Sequence, residues 1–215
     1  MSLTPREASE RAAELCRMAP VIPVLVVEDA ASAADLARAL ISGGLPVLEV
    51  TLRTPAALDA IRAMAEVEGG VVGAGTLITP RDVEAAVEAG ARFGVSPGAT
   101  EQICEACERA GLPLLPGAAT ATEAMRLLER GYDVQKFFPA EAIGGAPALK
   151  SLAGPLPQIS FCPTGGVALR NAADYLGLPN TLCVGGSWVA PADKVRAGDW
   201  DGIAALAEEA ARLPR

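Results

Sequence analysis

The sequence predicts an α/β fold, a (β/α)8 TIM barrel with an additional N-terminal helix, as one domain over residues 1–215. Eight short apolar runs alternate with amphipathic helical patterns, in units of about 20 to 26 residues. Such alternation implies parallel strands joined by right-handed crossovers, and eight units can close a barrel. The alternative is an open doubly wound sheet. A dinucleotide-binding sheet would carry glycines after its first strand, and residues 27–30 contain none.

The predicted strands are short runs dominated by apolar residues, each bounded by turn residues or charges. They span 21–27, 46–52, 71–76, 92–96, 112–115, 134–138, 158–162 and 181–184. The predicted helices lie at 1–19, 30–43, 55–67, 80–89, 101–110, 122–130, 146–153, 169–176 and 200–213. Their ends carry the usual signals, since Pro55 occupies a first-turn position and Gly90, Gly111 and Gly131 each follow a helix. The first of these helices is expected to cover the bottom of the barrel.

Charge and cysteine usage limit the classes of partner and the compartment. The net charge is −8 without a basic run, which argues against nucleic acid and anionic membranes as partners. No stretch of about 20 apolar residues occurs, and residues 1–17 are charged without an apolar signal core. Five cysteines, an odd number without a disulfide pattern, indicate a reducing compartment. We therefore expect a cytoplasmic protein.

The cysteine pair Cys104 and Cys107 forms a CxxC spacing inside a helical pattern, where both residues are expected on one face as small apolar side chains. A structural zinc site would want four ligands, and the chain contains no histidine. We therefore expect neither a metal nor another cofactor. Without histidine, any general base must be a carboxylate, lysine, tyrosine or cysteine.

Lys136 is the candidate nucleophile, because it lies within the predicted strand 134–138 beside Phe137 and Phe138. Apolar surroundings disfavour the charged form of a lysine, and the neutral amine attacks carbonyl groups. The other two lysines, Lys150 and Lys194, lie in polar helical stretches. The alternative is an edge-strand lysine whose stem packs while its amine reaches water.

Further candidates follow the carboxyl ends of the predicted strands, where barrel chemistry gathers. Period-two alternation places Glu49, Thr51 and Arg53 on one face. Glu49 is either a base beside an anion-binding arginine or one half of a structural ion pair with Arg53 or Lys136. The run Gly73-Ala74-Gly75-Thr76 brings a hydroxyl group to the next strand end.

Two glycine pairs, Gly165-Gly166 and Gly185-Gly186, follow the last two predicted strands. Exposed amides near a helix N-terminus form an anion cradle, and the loops after strands seven and eight of such barrels commonly bind phosphate. Plain tight turns are the alternative. Cys162, on the inward face of strand seven, is interpreted as barrel filler because no activating group is adjacent.

Seven motifs together resemble the KDPG/KHG aldolases, which act on 2-keto-3-deoxy-6-phosphogluconate and 4-hydroxy-2-oxoglutarate. The motifs are Glu49-Val50-Thr51-Leu52-Arg53, Gly73-Ala74-Gly75-Thr76, Ser96-Pro97-Gly98, Leu115-Pro116-Gly117, Lys136-Phe137-Phe138-Pro139-Ala140, Pro163-Thr164-Gly165-Gly166 and Val184-Gly185-Gly186-Ser187-Trp188. The resemblance runs in order from about Val21 to Trp188. It implies a metal-independent class I aldolase of the Entner–Doudoroff route, usually a homotrimer.

The resemblance also implies a role for each matching residue. Lys136 would form the Schiff base, and Glu49 would exchange a proton with the C4 hydroxyl group. The substrate carboxylate would lie on Arg53 and Thr76, while Phe138, Thr164 and Pro97 would line the pocket. The phosphate would bind at Gly165, Gly166, Gly185, Gly186 and Ser187.

The chemistry of the residues agrees with these implied roles. A protonated imine at C2 accepts the electron pair released when the C3–C4 bond breaks, so no metal is required. The expected reaction splits the phosphogluconate substrate into pyruvate and glyceraldehyde 3-phosphate, and the same cleavage of 4-hydroxy-2-oxoglutarate would give pyruvate and glyoxylate.

Three alternatives remain open at this point. The first is an aldolase for the C4-epimeric galactonate substrate, although the Thr164 hydroxyl favours the gluconate form. The second is a non-catalytic phospho-sugar-binding barrel, in which Lys136 and Glu49 would be idle. The third is a phosphate-binding isomerase or decarboxylase on the same barrel, which would not need an imine.

Overall fold

The apolar runs of the sequence form short parallel strands in a computed structural model that describes residues 2–214. The strands are β1 (Val21–Leu25), β2 (Val47–Thr51), β3 (Val71–Gly75), β4 (Gly94–Val95), β5 (Leu114–Leu115), β6 (Gly117–Ala118), β7 (Val134–Phe137), β8 (Ser160–Pro163) and β9 (Val184–Gly186). Their order is β5-β4-β3-β2-β1-β9 in one sheet and β6-β7-β8 in the other. Every strand pair in the described part is parallel. The fold is thus an α/β fold on a curled parallel sheet.

Isolated parallel bridges run between β8 and the segment 181–185, which leads into β9, pairing Phe161 with Thr181 and Thr164 with Gly185. The second bridge lies at the carboxyl ends of β8 and β9. It therefore brings the two predicted glycine pairs to the same rim of the sheet.

Helices follow most of the strands and cover the outside of the sheet. They are α1 (Pro5–Met18), α2 (Ala33–Ser42), α3 (Ala57–Ala65), α4 (Pro80–Glu88), α5 (Glu101–Ala110), α6 (Ala121–Arg130), α7 (Gly145–Ala153), α8 (Leu169–Leu176), α9 (Ala192–Ala197) and α10 (Trp200–Ala211). Thr4, Thr79 and Thr120 form capping boxes that satisfy the first free amides of α1, α4 and α6. Among the described residues, no helix combines the length and the apolar character needed to cross a bilayer.

The predicted and observed elements differ in number as well as in bounds. The fifth predicted strand, 112–115, is found at Leu114–Leu115, and a further short strand that was not predicted, Gly117–Ala118, follows Pro116, which has no amide hydrogen to donate to a ladder. Helix α9 was not predicted as a separate element, and the eighth predicted strand, 181–184, is found at Val184–Gly186. The first helix begins at Pro5, after its Thr4 cap. Its predicted start at Met1 lies outside the described residues.

The amino-terminal end of the curled sheet is filled by apolar side chains and covered by α1. The buried cluster there comprises Ala13, Cys16, Ile22, Val47, Phe93, Val95, Leu115, Val134, Cys162 and Cys183. Ala13 and Cys16 belong to α1, which agrees with the prediction that the first helix covers this end. Cys104 and Cys107 are both buried on α5, as expected for small apolar residues on one helix face. Packing therefore fills the interior of the sheet at this end.

The close approach of two backbones at Gly117 gives a prediction about stability. A Cβ added at Gly117 would lie 2.3 Å from the carbonyl oxygen of Pro97, which cannot move aside as a flexible side chain could. We expect Gly117→Ala to lower the free energy of unfolding by about 1–3 kcal/mol, the usual cost of overpacking. Urea unfolding measures it. Gly98→Ala is the matched control, because a Cβ there meets no atom within 4 Å. Equal stability of the two variants would contradict this reading.

Candidate active site

A cavity of about 270 Å³ opens at the carboxyl ends of the strands. All twelve site residues predicted from the sequence line it, namely Glu49, Arg53, Thr76, Pro97, Lys136, Phe138, Thr164, Gly165, Gly166, Gly185, Gly186 and Ser187. Three further residues, Val24, Thr51 and Val167, complete the wall. The sequence placed Thr51 on the correct face of its strand. For Val24 and Val167, the only sequence feature that could have indicated a site residue was their position near a strand end.

Lys136 lies in the middle of β7, which is paired with β6 on one side and with β8 on the other. Its neighbour Gln135 points the opposite way, where its amide donates hydrogen bonds to the carbonyl oxygens of Ala124 and Tyr132. The Lys136 side chain therefore projects inward, and only 6% of it is exposed. The alternative of an edge-strand lysine with its amine in water is wrong.

The Lys136 amine has two defined neighbours. Its Nζ donates to Glu49 Oε1 at 3.3 Å and lies 5.2 Å from the centroid of the Phe138 ring. The Glu49 side chain, on β2, is only 4% exposed. Of the two structural pairings considered for Glu49, the one with Lys136 is present, and the described residues contain no salt bridge between Glu49 and Arg53. A buried amine and a buried carboxylate thus face the same cavity.

The electrostatics of Glu49 are dominated by burial. Burial raises the pKa of its carboxyl group, while the Lys136 charge, and more weakly Arg53, oppose the shift. The carboxyl group is therefore easier to protonate than an exposed glutamate. A higher proton affinity suits a group that accepts a proton in one step and returns it in another.

Arg53 and Thr76 lie at the rim next to Glu49, after β2 and β3. Arg53 is exposed, and within residues 2–214 its guanidinium has no carboxylate partner in a salt bridge. Thr76 has a φ of 64°, the left-handed conformation that β-branched residues rarely adopt. The hydrogen bond from the Leu77 amide to the Val95 carbonyl, 3.1 Å, holds this turn. Strain of this kind clusters at functional sites, and here it belongs to a residue that lines the cavity.

The glycine pairs form the opposite rim. Gly165 and Gly166 have φ values of 99° and 80° between β8 and α8, whereas Gly185 and Gly186 lie within β9. Because Gly185 and Gly186 are strand residues, the tight-turn alternative is wrong for that pair. Thr164 is 5% exposed, and its Oγ1 lies 3.5 Å from the carbonyl oxygen of Cys162. The two glycine pairs, Ser187 and the buried Thr164 therefore all line this part of the cavity.

Cys162 lies at 2% exposure below Thr164, in the same apolar cluster as Cys16 and Cys183. This agrees with its interpretation as barrel filler. Within residues 2–214, no three acidic or cysteine side chains are placed to hold a metal ion.

Comparisons of the sequence and of the structure with known proteins agree with one another. The family model described as KDPG and KHG aldolase matches residues 12–206. The "KHG/KDPG aldolase" of Escherichia coli strain K12 is 51% identical over 192 residues, covering 89% of this chain and 90% of the relative.

Two solved structures are similar over nearly the whole chain. One is the 2-keto-3-deoxy-6-phosphogluconate aldolase of Zymomonas mobilis ZM4 with 3-phosphoglycerate, at a TM-score of 0.92 and 51% identity, covering 96% of this chain and 98% of that one. The other is the KDPG aldolase of Legionella pneumophila with pyruvate captured as a covalent carbinolamine intermediate, at a TM-score of 0.89 and 44% identity, covering 93% and 97%.

Proposed function

Because this chain belongs to the KDPG and KHG aldolase family, we propose that it is a class I aldolase that cleaves 2-keto-3-deoxy-6-phosphogluconate, KDPG, to pyruvate and glyceraldehyde 3-phosphate. It also cleaves 4-hydroxy-2-oxoglutarate to pyruvate and glyoxylate. The observation that carries the proposal is the buried Lys136 amine, 3.3 Å from the buried Glu49 carboxylate in a cavity that Arg53 and the two glycine pairs also line. The names of the relatives support the substrate class.

The reaction begins at Lys136. Its neutral amine adds to the C2 carbonyl group of the substrate, and loss of water from the carbinolamine leaves a protonated imine. The carbinolamine in the Legionella pneumophila structure supports this first step. The imine then serves as the electron sink, so the protein needs no metal or cofactor.

Glu49 performs the proton transfers. Its carboxylate accepts the proton of the C4 hydroxyl group, the C3–C4 bond breaks, and the bonding electrons form an enamine on the pyruvyl fragment while the aldehyde leaves. The protonated Glu49 then returns the proton to C3. Water hydrolyses the resulting imine, which releases pyruvate and restores the Lys136 amine. The raised pKa of Glu49 suits both directions of transfer.

The two rims hold the ends of the substrate. Arg53 and Thr76 bind the carboxylate, and Phe138 and Pro97 line the space between the rims. The phosphate binds to the amides of Gly165, Gly166, Gly185 and Gly186 and to the Ser187 hydroxyl group. Binding at both ends holds C2 of the substrate next to Lys136, so that binding energy is used to orient the reacting groups. Thr164 lies beside the C4 hydroxyl group, and its own hydroxyl favours the gluconate over the galactonate epimer.

Architecture, assembly and compartment complete the proposal. The strands form a closed (β/α)8 barrel with α1 outside its eight units, and residues 1–215 are one domain; the bridges between β8 and the segment 181–185 support closure. The chain acts as a homotrimer, in keeping with its family resemblance. A molar mass in solution of three times the chain mass, measured by light scattering, would support this. Five free thiols support a reducing cytoplasm, where the enzyme serves the Entner–Doudoroff route.

A coupled assay tests the proposed function. The protein is incubated with KDPG in the presence of a metal chelator, and pyruvate is followed through NADH oxidation by lactate dehydrogenase. We expect cleavage that is insensitive to the chelator and faster with KDPG than with its C4 epimer. Folded protein that releases no pyruvate from KDPG or from 4-hydroxy-2-oxoglutarate would overturn the proposal.

The raised pKa of Glu49 predicts how activity depends on pH. Only the ionised carboxylate can accept the C4 hydroxyl proton, so kcat/KM falls as the pH falls through the pKa of Glu49 in the free enzyme. Because burial raises that pKa, we expect the acidic limb of the kcat/KM profile above the ordinary glutamate value of 4.5. The profile is measured with KDPG in buffers of constant ionic strength. A kcat/KM that stays constant below pH 4.5 would contradict this role of Glu49.

A further inference from the structure

The turn after β7 lies against the glycine loop Gly165–Gly166. The Ala140 amide donates to the carbonyl oxygen of Thr164 at 2.8 Å, and the Glu141 amide donates to that of Gly165 at 3.0 Å. The aliphatic part of Glu141 packs on Gly166 so closely that a Cβ there would lie 2.6 Å from Glu141 Cγ. The backbone and side chain of Glu141 together therefore set the position of the loop.

Tyr175, on α8, holds the carboxylate end of Glu141. Tyr175 is fully buried, and its hydroxyl group donates a hydrogen bond to Glu141 Oε1. Burial and the adjacent carboxylate both raise the pKa of Tyr175, which keeps the phenol protonated as a donor. The bond turns the Glu141 carboxylate toward Tyr175. Without it, an exposed, flexible glutamate would stand beside an anion site with nothing to fix its direction.

Asn171 holds the other side of the same loop. Its Nδ2 donates to the carbonyl oxygen of Gly166 at 3.3 Å, while its Oδ1 accepts the amide of Ala168 at 2.7 Å and caps α8. Gly166 is therefore held between Glu141 and Asn171. Both contacts come from residues that do not themselves line the cavity.

We propose that Glu141 and Tyr175 form a brace that positions the Gly165–Gly166 amides for the substrate phosphate. Tyr175 is thus a positioning residue for phosphate recognition, although it does not line the cavity. The inference rests on the proposed function, because it concerns the phosphate end of the same site. The brace therefore affects the binding of phosphorylated ligands and leaves the chemistry at Lys136 unchanged.

Tyr175→Phe tests the brace with two substrates. We expect KM for KDPG to rise about fivefold to tenfold, as for loss of an intramolecular hydrogen bond, with kcat within about twofold of wild type. Exchange of the pyruvate methyl protons with deuterium, followed by NMR, needs no phosphate, so its rate and its KM for pyruvate should stay unchanged. Tyr132→Phe is the matched control, because Tyr132 is also fully buried and donates to a carboxylate, that of Glu108, at 3.1 Å. We expect no change in its KM for KDPG.

A second pair of variants keeps the inference testable if Tyr175→Phe fails to fold. Glu141→Gln retains the stem and an acceptor for Tyr175, so its KM for KDPG should stay near wild type, whereas Glu141→Ala should raise it. An unchanged KM in Tyr175→Phe or Glu141→Ala, or an equal loss of pyruvate exchange, would overturn the brace. If the proposed function itself were wrong, the result would be different, because wild-type protein would neither cleave KDPG nor exchange pyruvate protons.

Discussion

Lys136→Met is expected to lower kcat for KDPG cleavage at least about 10⁴-fold, because methionine fills the space but cannot form the imine that every later step requires. The variant also leaves Glu49 buried without its partner. We expect the Glu49 carboxyl group to become protonated, which avoids an unpaired buried charge and keeps the chain folded. Cleavage is measured with the coupled assay, and circular dichroism checks folding.

Lys150→Met is the matched control for this substitution. Lys150 is exposed on α7, so the same change of side chain should leave kcat within about twofold of wild type. If Lys136→Met retained substantial turnover while folded, imine chemistry at Lys136 would be excluded, and a phosphate-binding protein with another activity would become the leading interpretation.

Glu49→Gln is expected to lower kcat about 10²- to 10⁴-fold, the usual contribution of a positioned general base. Glutamine preserves the size of the side chain but cannot take the C4 hydroxyl proton. Lys136 remains in place, so borohydride should still trap pyruvate on the protein at the end of a long incubation. The two measurements together separate proton transfer from imine formation.

Glu88→Gln provides the control, because Glu88 is an exposed residue of α4 and the same charge is lost. A Glu49→Gln variant with unchanged kcat and altered KM would assign Glu49 to binding alone. Such a result would leave the proton transfers to another group of the cavity.

Much of the site could be predicted because parallel strands present their carboxyl ends at one edge. Period-two alternation placed Glu49 and Arg53 on one face, and Lys136 was singled out by its position within an apolar strand. The cavity that these residues line is the one predicted from the strand ends. Their roles in catalysis and binding remain proposals to be tested by the variants above.

Features that depend on long-range packing were not predictable. The left-handed conformation of Thr76 is imposed by its surroundings, since a β-branched residue does not favour it. The Glu141–Tyr175 contact joins residues 34 positions apart, and no local pattern relates them. The short strand β6, Gly117–Ala118, was not predicted, because two small residues after Pro116 do not form an apolar run from which a strand could be assigned.

The most direct measurement is borohydride reduction in the presence of pyruvate, followed by mass spectrometry of the intact protein and of its peptides. Reduction converts the imine to a stable secondary amine on the lysine that formed it. We expect a single pyruvate-derived adduct on the peptide containing Lys136, and none in Lys136→Met. An adduct on Lys150 or Lys194 instead, or active protein that yields no adduct at all, would contradict this expectation.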